Sequence, residues 1–339
     1  MKKLTKILLI TATALVLIGA VIFAGGFLRL KSEFKYKINT YEITESFENL
    51  SINTDTADIT IKLSDDTKSK IVCHETNENI KHSVNVQNDT LEINLNDNRK
   101  WYDYIEINFG SPKIEIYLPI KDYSALDIKE DTGNIEIAND FAFKNVNIAL
   151  STGDVDFYAN AEESVKIKGS TSDITLESIS AGAVNISTST GDIYLKNMSA
   201  DKINLSTSTG DIIASGVTCK SDAKLNVSTG KITINDAKLK NLITYGNTGD
   251  ISLKNVLAGN KISIKRSTGD VKFNACDADE IFIVTDTGDV KGSLLSSKIF
   301  LTNTDTGNID VPKTTTGGKC EITTDTGNIE ITIKYPILL

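Results

Sequence analysis

The chain has 339 residues, 40% of them hydrophobic, and a formal net charge of −9 at pH 7. The acidic balance and the presence of only three arginines argue against nucleic acid as a partner, because phosphate backbones bind positively charged surfaces. The length is sufficient to bury a large core, and four prolines are compatible with a fold rich in strands.

The N-terminal segment is an uncharged stretch of 22 residues, Ile7 to Leu28, which three lysines precede. As a helix it would rise about 33 Å at 1.5 Å per residue, enough to cross the hydrocarbon core of a bilayer. This predicts a cytoplasmic head over residues 1–6, a transmembrane anchor in the lipid bilayer over 7–28 and a linker over 29–44. The expected localisation is the cell membrane, single-pass, with the bulk of the chain on the extracellular side.

Residues 45–130 alternate apolar and polar side chains less regularly than the rest of the chain. The stretch "DTADITI", which begins at Asp55, resembles the later "DTGNIEI", with Ala57 in the place of glycine. Ala57 precedes Gly133 by 76 residues, or four repeats of 19. We therefore predict that 45–130 forms an irregular β section that caps one end of a repeat structure.

From Asp131 to Lys334 a threonine-glycine pair recurs every 19 or 20 residues, with Ser172 in the glycine place of one unit. Such a period is typical of a repeat architecture rather than of a catalytic motif. Glycine at a fixed place supplies the positive φ that a tight turn needs. The predicted structural turn residues are Gly133, Gly153, Gly191, Gly210, Gly230, Gly249, Gly269, Gly288, Gly307 and Gly327.

Within each unit the apolar residues follow a period of two, as Ile193 and Leu195 do on either side of Tyr194. This period predicts short strands with one buried face. Two such strands cannot close a core alone, so the units must stack. The sequence predicts an all-β fold, a parallel β-solenoid (β-helix) of 19–20-residue coils over 131–334, with 335–339 as its C-terminal end. One unit breaks phase before Gly307, where we expect a β-bulge.

The residue after the corner glycine is usually aspartate or asparagine, and its side chain is expected to hydrogen-bond its own turn. A stacked column of carboxylates could instead bind calcium, although the calcium-binding β-roll repeats every nine residues with paired glycines. Threonines stand three and one residues before many of these glycines, in phase with the buried positions. They are expected to satisfy backbone groups of the corner rather than to form a flat ice-binding array.

An aromatic cluster lies outside the repeats and is the candidate site of ligand contact, through Trp101, Tyr102 and Tyr104. Aromatic rings on loops often bind sugars and peptides. The alternative is that the loop folds over the end of the solenoid and buries Trp101. We predict no catalytic, cofactor-binding or metal-binding residues and no cofactor, since no HExxH, GxSxG or P-loop motif is present. The four cysteines are expected to be buried thiols.

The stretch "IEIYLPIKDYSALDIKEDTGNIEI", Ile114 to Ile137, and the serial "STGDI" strands resemble the bacterial putative-adhesin β-strand-repeat family. That family includes LiaG-like proteins associated with cell-envelope stress systems, and the resemblance covers roughly residues 45 to 335. It implies a β-repeat fold and no catalytic residues. We therefore predict a non-catalytic adhesion, scaffold or cell-envelope module with a cell-wall glycan or an envelope protein as partner. The alternative is a polysaccharide-binding or polysaccharide-degrading β-helix.

Overall fold

The structure is a computed structural model that describes Lys6, 11–21, Phe23, 37–75, 79–98 and 112–334. Among the described residues, no helix combines the length and the apolar character that crossing a membrane requires. This finding contradicts the predicted single-pass localisation in the cell membrane. The predicted bilayer contact through residues 7–28 is not tested by it and stays a prediction.

Strands make up the rest of the fold. The first seven are β1 (Lys37–Ile43), β2 (Asn49–Asn53), β3 (Asp58–Leu63), β4 (Ser69–Glu75), β5 (Ile80–Gln87), β6 (Thr90–Asp97) and β7 (Lys113–Leu118). Long and short strands then alternate: β8 (Asp122–Thr132), β9 (Ile135–Ile137), β10 (Ala142–Thr152), β11 (Val155–Phe157), β12 (Asn160–Lys168), β13 (Ile174–Glu177), β14 (Ser180–Thr190), β15 (Ile193–Lys196), β16 (Ser199–Thr209) and β17 (Ile212–Ser215). The last nine are β18 (Thr218–Thr229), β19 (Ile232–Thr248), β20 (Ile251–Thr268), β21 (Val271–Thr287), β22 (Val290–Leu294), β23 (Lys298–Thr306), β24 (Ile309–Asp310), β25 (Gly318–Thr326) and β26 (Ile329–Ile333).

Successive units of the repeat stack in parallel. In the pair β14–β16, Val184 lies opposite Ile203 and Ile186 opposite Leu205, so equivalent positions face each other. The short strands β15 and β17 pair in the same way after the glycine corner. From β19 to β21 the two strands of a coil merge into single strands of 17 or 18 residues. The prediction of an all-β parallel β-solenoid is confirmed.

The core runs through the centre of the coils and consists of the inward residues of every strand. Ile193 and Leu195 are fully buried, whereas Tyr194 between them is partly exposed. Each buried aliphatic side chain contributes about 1.5 to 3 kcal/mol of hydrophobic free energy. Every coil therefore depends on its two neighbours to cover its apolar residues.

A second column of turn residues lies after the short strands, and it was not predicted. Its members have φ between 49° and 67°, in the left-handed region. Asparagine, aspartate and glycine tolerate this region better than other residues. The column comprises Ser178, Asn197, Gly216, Asp236, Asn255 and Ala275.

The N-terminal end of the solenoid is not stacked in sequence order. Strand β2 lies between β6 and β8, and β3 lies between β7 and β9. A Cβ atom on Gly133 would lie 2.1 Å from the Ala57 carbonyl oxygen, so these two corners are direct neighbours. The interpretation of their spacing as four repeats is wrong, because the intervening chain adds β6 and β7 outside the first coil. At this end β4 is antiparallel to β1 and β7, and β5 is antiparallel to β6.

The C-terminal end has the same kind of exchanged order. Strand β25 lies between β21 and β23, and β26 lies between β22 and β24. The coil of Gly327 is thus inserted between those of Gly288 and Gly307. The register of β23 against β25 is continuous, so the expected bulge is absent. Instead β23 turns Phe300 towards the core and leaves Leu301, on the outer surface, 51% exposed.

Candidate binding groove on the outer sheet face

The ten corner glycines have φ between 126° and 159°. A Cβ atom on Gly210 would lie 2.1 Å from the carbonyl oxygen of Gly191 in the adjacent coil, and the corresponding distance at all ten is 2.0 to 2.2 Å. Both the backbone conformation and the close approach of the next coil therefore favour glycine. In the coil of Ser172 the side chain is buried, and Gly169 leaves room for it, since a Cβ there would lie 2.8 Å from the Ser172 Cβ.

The corner carboxylates connect neighbouring coils. Oδ1 of Asp173 accepts the backbone N–H of Asp192, and Oδ1 of Asp192 accepts that of Asp211, both at 2.7 Å. The expectation that each side chain would bond its own turn is wrong, because stacking brings an N–H of the next coil within reach. Lys231 has no oxygen to accept such a bond and interrupts the column. Within the described chain, this column holds no group of three ligand atoms close enough to share a metal ion.

The two threonine positions have different environments. The hydroxyl of Thr207 is buried and donates to the Gly191 carbonyl oxygen at 3.1 Å, and Thr324 donates to that of Gly288 at 3.1 Å. Threonines three residues before the glycine thus satisfy corner backbone groups, as predicted. Those immediately before the glycine, such as Thr209, are exposed, so their predicted inward orientation is wrong.

The outer face of the long strands carries an open groove of about 400 Å³ in the middle of the solenoid. Parallel register arranges its polar side chains in two rows, each with one residue from each coil. The first row is Lys166, Asn185, Asn204 and Lys224, and the second is Lys168, Ser187, Ser206, Asn226 and Tyr245. We call these nine residues the outer groove. Four coil spacings of about 4.8 Å give it a length of roughly 19 Å.

The outer groove is positively charged, although the chain as a whole is acidic. Its lining includes three lysines and no carboxylate. Lys224 lies 3.8 Å from Asp222, whereas Lys166 and Lys168 form no ion pair with any described residue. Two polar side chains of the groove are held in place by each other, since the Asn204 amide donates to Asn185 Oδ1 at 2.8 Å. Tyr245 is 49% exposed at one end and offers a ring face for stacking.

A comparison with protein families shows which family the chain belongs to. The family model described as Toastrack DUF4097 matches residues 47–235 and 218–336. The chain belongs to this family. The Toastrack match confirms the resemblance to a β-strand-repeat family that the serial "STGDI" strands indicated.

Several solved structures are similar to this Toastrack chain, and no curated protein matches it. A "putative adhesin" of Parabacteroides distasonis ATCC 8503 has 12% identity and a TM-score of 0.42, covering 87% of this chain and 97% of its own. A "putative lipid binding protein" of the same organism has 15% identity and a TM-score of 0.39, with the same coverage. A "putative adhesin" of Bacteroides fragilis NCTC 9343 has 16% identity and a TM-score of 0.33, again with 87% and 97% covered.

The candidate ligand residues that the sequence suggested, Trp101, Tyr102 and Tyr104, lie outside the described residues of the Toastrack chain. The outer groove was not predicted, because its members come from five coils and each occupies an ordinary solvent-facing position. One signal was available. Tyr245 is an aromatic residue at a solvent-facing position where the preceding coils have asparagine or serine.

Proposed function

We propose that this protein is a non-catalytic binding module whose outer groove binds an anionic glycan, such as a cell-wall polysaccharide with carboxylate or phosphate groups. The observation that carries the proposal is a groove with three lysines and no carboxylate on a chain of net charge −9. Ammonium groups bind carboxylate and phosphate oxygens through charge-assisted hydrogen bonds. A neutral polymer would form only weaker hydrogen bonds with them, and a cationic polymer would be repelled.

The groove floor fits the remaining chemistry of a polysaccharide. Asparagine amides and serine hydroxyls both donate and accept hydrogen bonds, as sugar hydroxyls do. They repeat at the coil spacing, so a linear polymer along the solenoid axis meets the same groups at each step. The exposed ring of Tyr245 can stack on the apolar face of a sugar at one end.

The residues that line the outer groove also favour a binding role over a catalytic one. No carboxylate, histidine or cysteine lines the outer groove, so it offers no general acid, general base or nucleophile of those types. His74 and His82 both belong to the N-terminal strands, on β4 and β5. This arrangement supports the binding alternative over the degrading one.

The test measures binding of the full chain to polygalacturonate, which carries carboxylates, to poly(glycerol phosphate), and to neutral dextran. We expect binding to at least one polyanion that weakens as salt rises, and none to dextran. Substituting Lys166, Lys168 and Lys224 by glutamine should weaken this binding by about threefold to a hundredfold, because three exposed charge contacts contribute about 0.2 to 1 kcal/mol each. Tyr245→Ser should weaken it as well, while Tyr245→Phe retains the ring and the affinity.

The matched control substitutes Lys238, Lys240 and Lys254 by glutamine. These lysines are exposed and lie outside the outer groove, and the change in net charge is the same. An equal loss of affinity in this control would show that net charge alone governs binding, which contradicts a specific groove. Absence of binding to both polyanions would refute the ligand class, and release of reducing ends from polygalacturonate would refute the non-catalytic role.

A further inference from the structure

A second cluster of reactive side chains is buried in the N-terminal strands, away from the outer groove. Cys73 and Glu75 stand two residues apart on β4 and therefore point to the same side of that strand. His82 on β5 meets them from the neighbouring strand. The exposed fractions of the three residues are 0%, 1% and 2%, so the cluster is closed to solvent.

The three side chains bring a sulfur, an oxygen and a nitrogen together. Their ligand atoms all lie within 4.8 Å of one another, and within the described residues this is the only group of three that could hold a metal ion. His82 Nδ1 lies 3.3 Å from both carboxylate oxygens of Glu75. A hydrogen bond between such atoms is usually shorter, near 2.9 to 3.0 Å. Two ligands of a tetrahedral zinc ion, each about 2.0 to 2.1 Å from the metal, lie roughly 3.3 Å apart.

The thiol of Cys73 differs from two other buried thiols in its surroundings. The sulfur atoms of Cys219 and Cys276 lie within hydrogen-bonding distance of backbone carbonyl oxygens, at 3.6 Å and 3.3 Å. Cys73 makes no hydrogen bond to any described residue. A sulfur that packs only as an apolar group has no need of a buried carboxylate and an imidazole beside it.

We propose that Cys73, Glu75 and His82 form a zinc site that ties β4 to β5 at the N-terminal end of the solenoid. Thiolate, imidazole and carboxylate are the three ligand types that zinc prefers in proteins. Three protein ligands leave the fourth tetrahedral position to a water molecule. The three ligands are closed to solvent, so no substrate reaches the metal and its role is structural.

The surroundings of His82 suit a metal ligand. Its Nε2 lies 2.9 Å from the Thr54 hydroxyl, which leaves Nδ1 directed at the cluster. The His82 backbone N–H donates to Glu75 Oε1 at 2.9 Å, and the Tyr41 hydroxyl donates to the His82 carbonyl oxygen at 2.9 Å. Such outer contacts fix the orientation of zinc-bound histidines. Burial raises the pKa of the Cys73 thiol to about 12, so zinc must displace its proton and release it to solvent.

The experiment uses the full chain, stripped of metal with a chelator and titrated with Co²⁺ as a spectroscopic substitute for zinc. We expect an intense thiolate-to-cobalt absorption band that saturates at one ion per chain and disappears when zinc is added. Cys73→Ser should lose the band, whereas Cys320→Ser, a change at an equally buried thiol in β25, should keep it. Zinc should also raise the unfolding midpoint of the unmodified chain and leave that of His82→Gln unchanged.

Two results would overturn the zinc site. If the metal-stripped, unmodified chain gives no thiolate-to-cobalt band when Co²⁺ is added, the zinc site is excluded. This result needs no variant, so it does not depend on whether Cys73→Ser folds. A band that persists in folded Cys73→Ser, judged by its circular dichroism, would place the metal at another cysteine. In either case the three side chains are a buried cluster without a metal ion, and the proposed glycan groove is unaffected.

Discussion

The corner glycines are the residues on which coil spacing depends most directly. Gly210→Ala would place a Cβ atom 2.1 Å from the Gly191 carbonyl oxygen and force a φ of 143° on an alanine. We expect a loss of about 2 to 4 kcal/mol in the free energy of unfolding, because backbone strain adds to the displacement of a whole coil. Urea denaturation measures it.

The control for this change is Gly259→Ala. A Cβ atom there would have only the Leu239 carbonyl oxygen nearby, at 3.9 Å, and its φ lies outside the left-handed region. Its unfolding free energy should change by less than about 1 kcal/mol, with a gain possible because alanine restricts the unfolded chain. Equal losses in both variants would show that glycine content, not coil contact, determines the effect.

Glu130 is a buried carboxyl whose charge opposes folding. Its Oε1 accepts the Ala57 N–H at 3.0 Å, and its Oε2 has no partner among the described residues. Burial raises its pKa from the ordinary 4.5 to about 8. Between these two values the folded chain retains a proton that the unfolded chain has released, so stability should fall as pH rises from 4.5 to 8. Above pH 8 both states are ionised and this contribution no longer changes.

Thermal unfolding at a series of pH values tests the role of this carboxyl. Relative to the unmodified protein, Glu130→Gln should become progressively more stable across pH 5 to 8, because glutamine cannot ionise. Glu162→Gln, at an exposed glutamate, should follow the unmodified protein throughout. Parallel curves for all three proteins would contradict a buried, protonated Glu130.

At the scale of the strands and corners, hydrogen bonds between coils explain why aspartate and asparagine recur. The column from Asn134 to Asp211 links each corner to the next through a backbone N–H. Lys231 accepts no such bond, so the N–H of Asp250 lacks the acceptor that other coils provide. We expect Lys231→Asn to raise the free energy of unfolding by about 0.5 to 1.5 kcal/mol, the usual net contribution of one hydrogen bond.

The matched change removes an existing bond of the same column. Asp173→Ala should lower the free energy of unfolding by about 1 kcal/mol, since it leaves the Asp192 N–H without its acceptor. Both values come from urea denaturation of the full chain. A Lys231→Asn variant that is less stable than the unmodified protein would show that the lysine has a role the column does not explain.

The strands and corners were also the part of the fold that could be predicted from the sequence. Alternation marked Ile193 and Leu195 as buried, and recurrence marked the glycines as corners, because each depends on a few neighbouring residues. The backbone N–H donors that bond the aspartate side chains could not be predicted in this way. They lie on the next coil, at a position that only the stacking register defines. The outer groove escaped prediction for the same reason, since its rows exist only after stacking.

At the scale of the whole molecule, both ends exchange the order of their coils. Ala57 and Gly133 are 76 residues apart in the sequence and direct neighbours in space, because stacking is decided by which strand edge is free and not by sequence distance. At the other end, β25 and β26 pair on both edges although they are the last of the described strands. At both ends, the coil whose order is exchanged therefore lies between two other coils.

This exchange predicts an unusual distribution of local stability near the C-terminus. In a solenoid stacked in sequence order, the last coil frays most readily, because it has a neighbour on one side only. Among the described strands, β23 pairs with β25 only, whereas β25 is enclosed between β21 and β23. Amide hydrogen exchange should thus be fast in β23 and slow in β25, with β25 close to β21, although β25 follows β23 in the sequence. Strand β16, in the middle of the solenoid, provides the slow reference. Exchange rates that rise steadily from β21 through β23 to β25 would mean that the coils stack in sequence order after all.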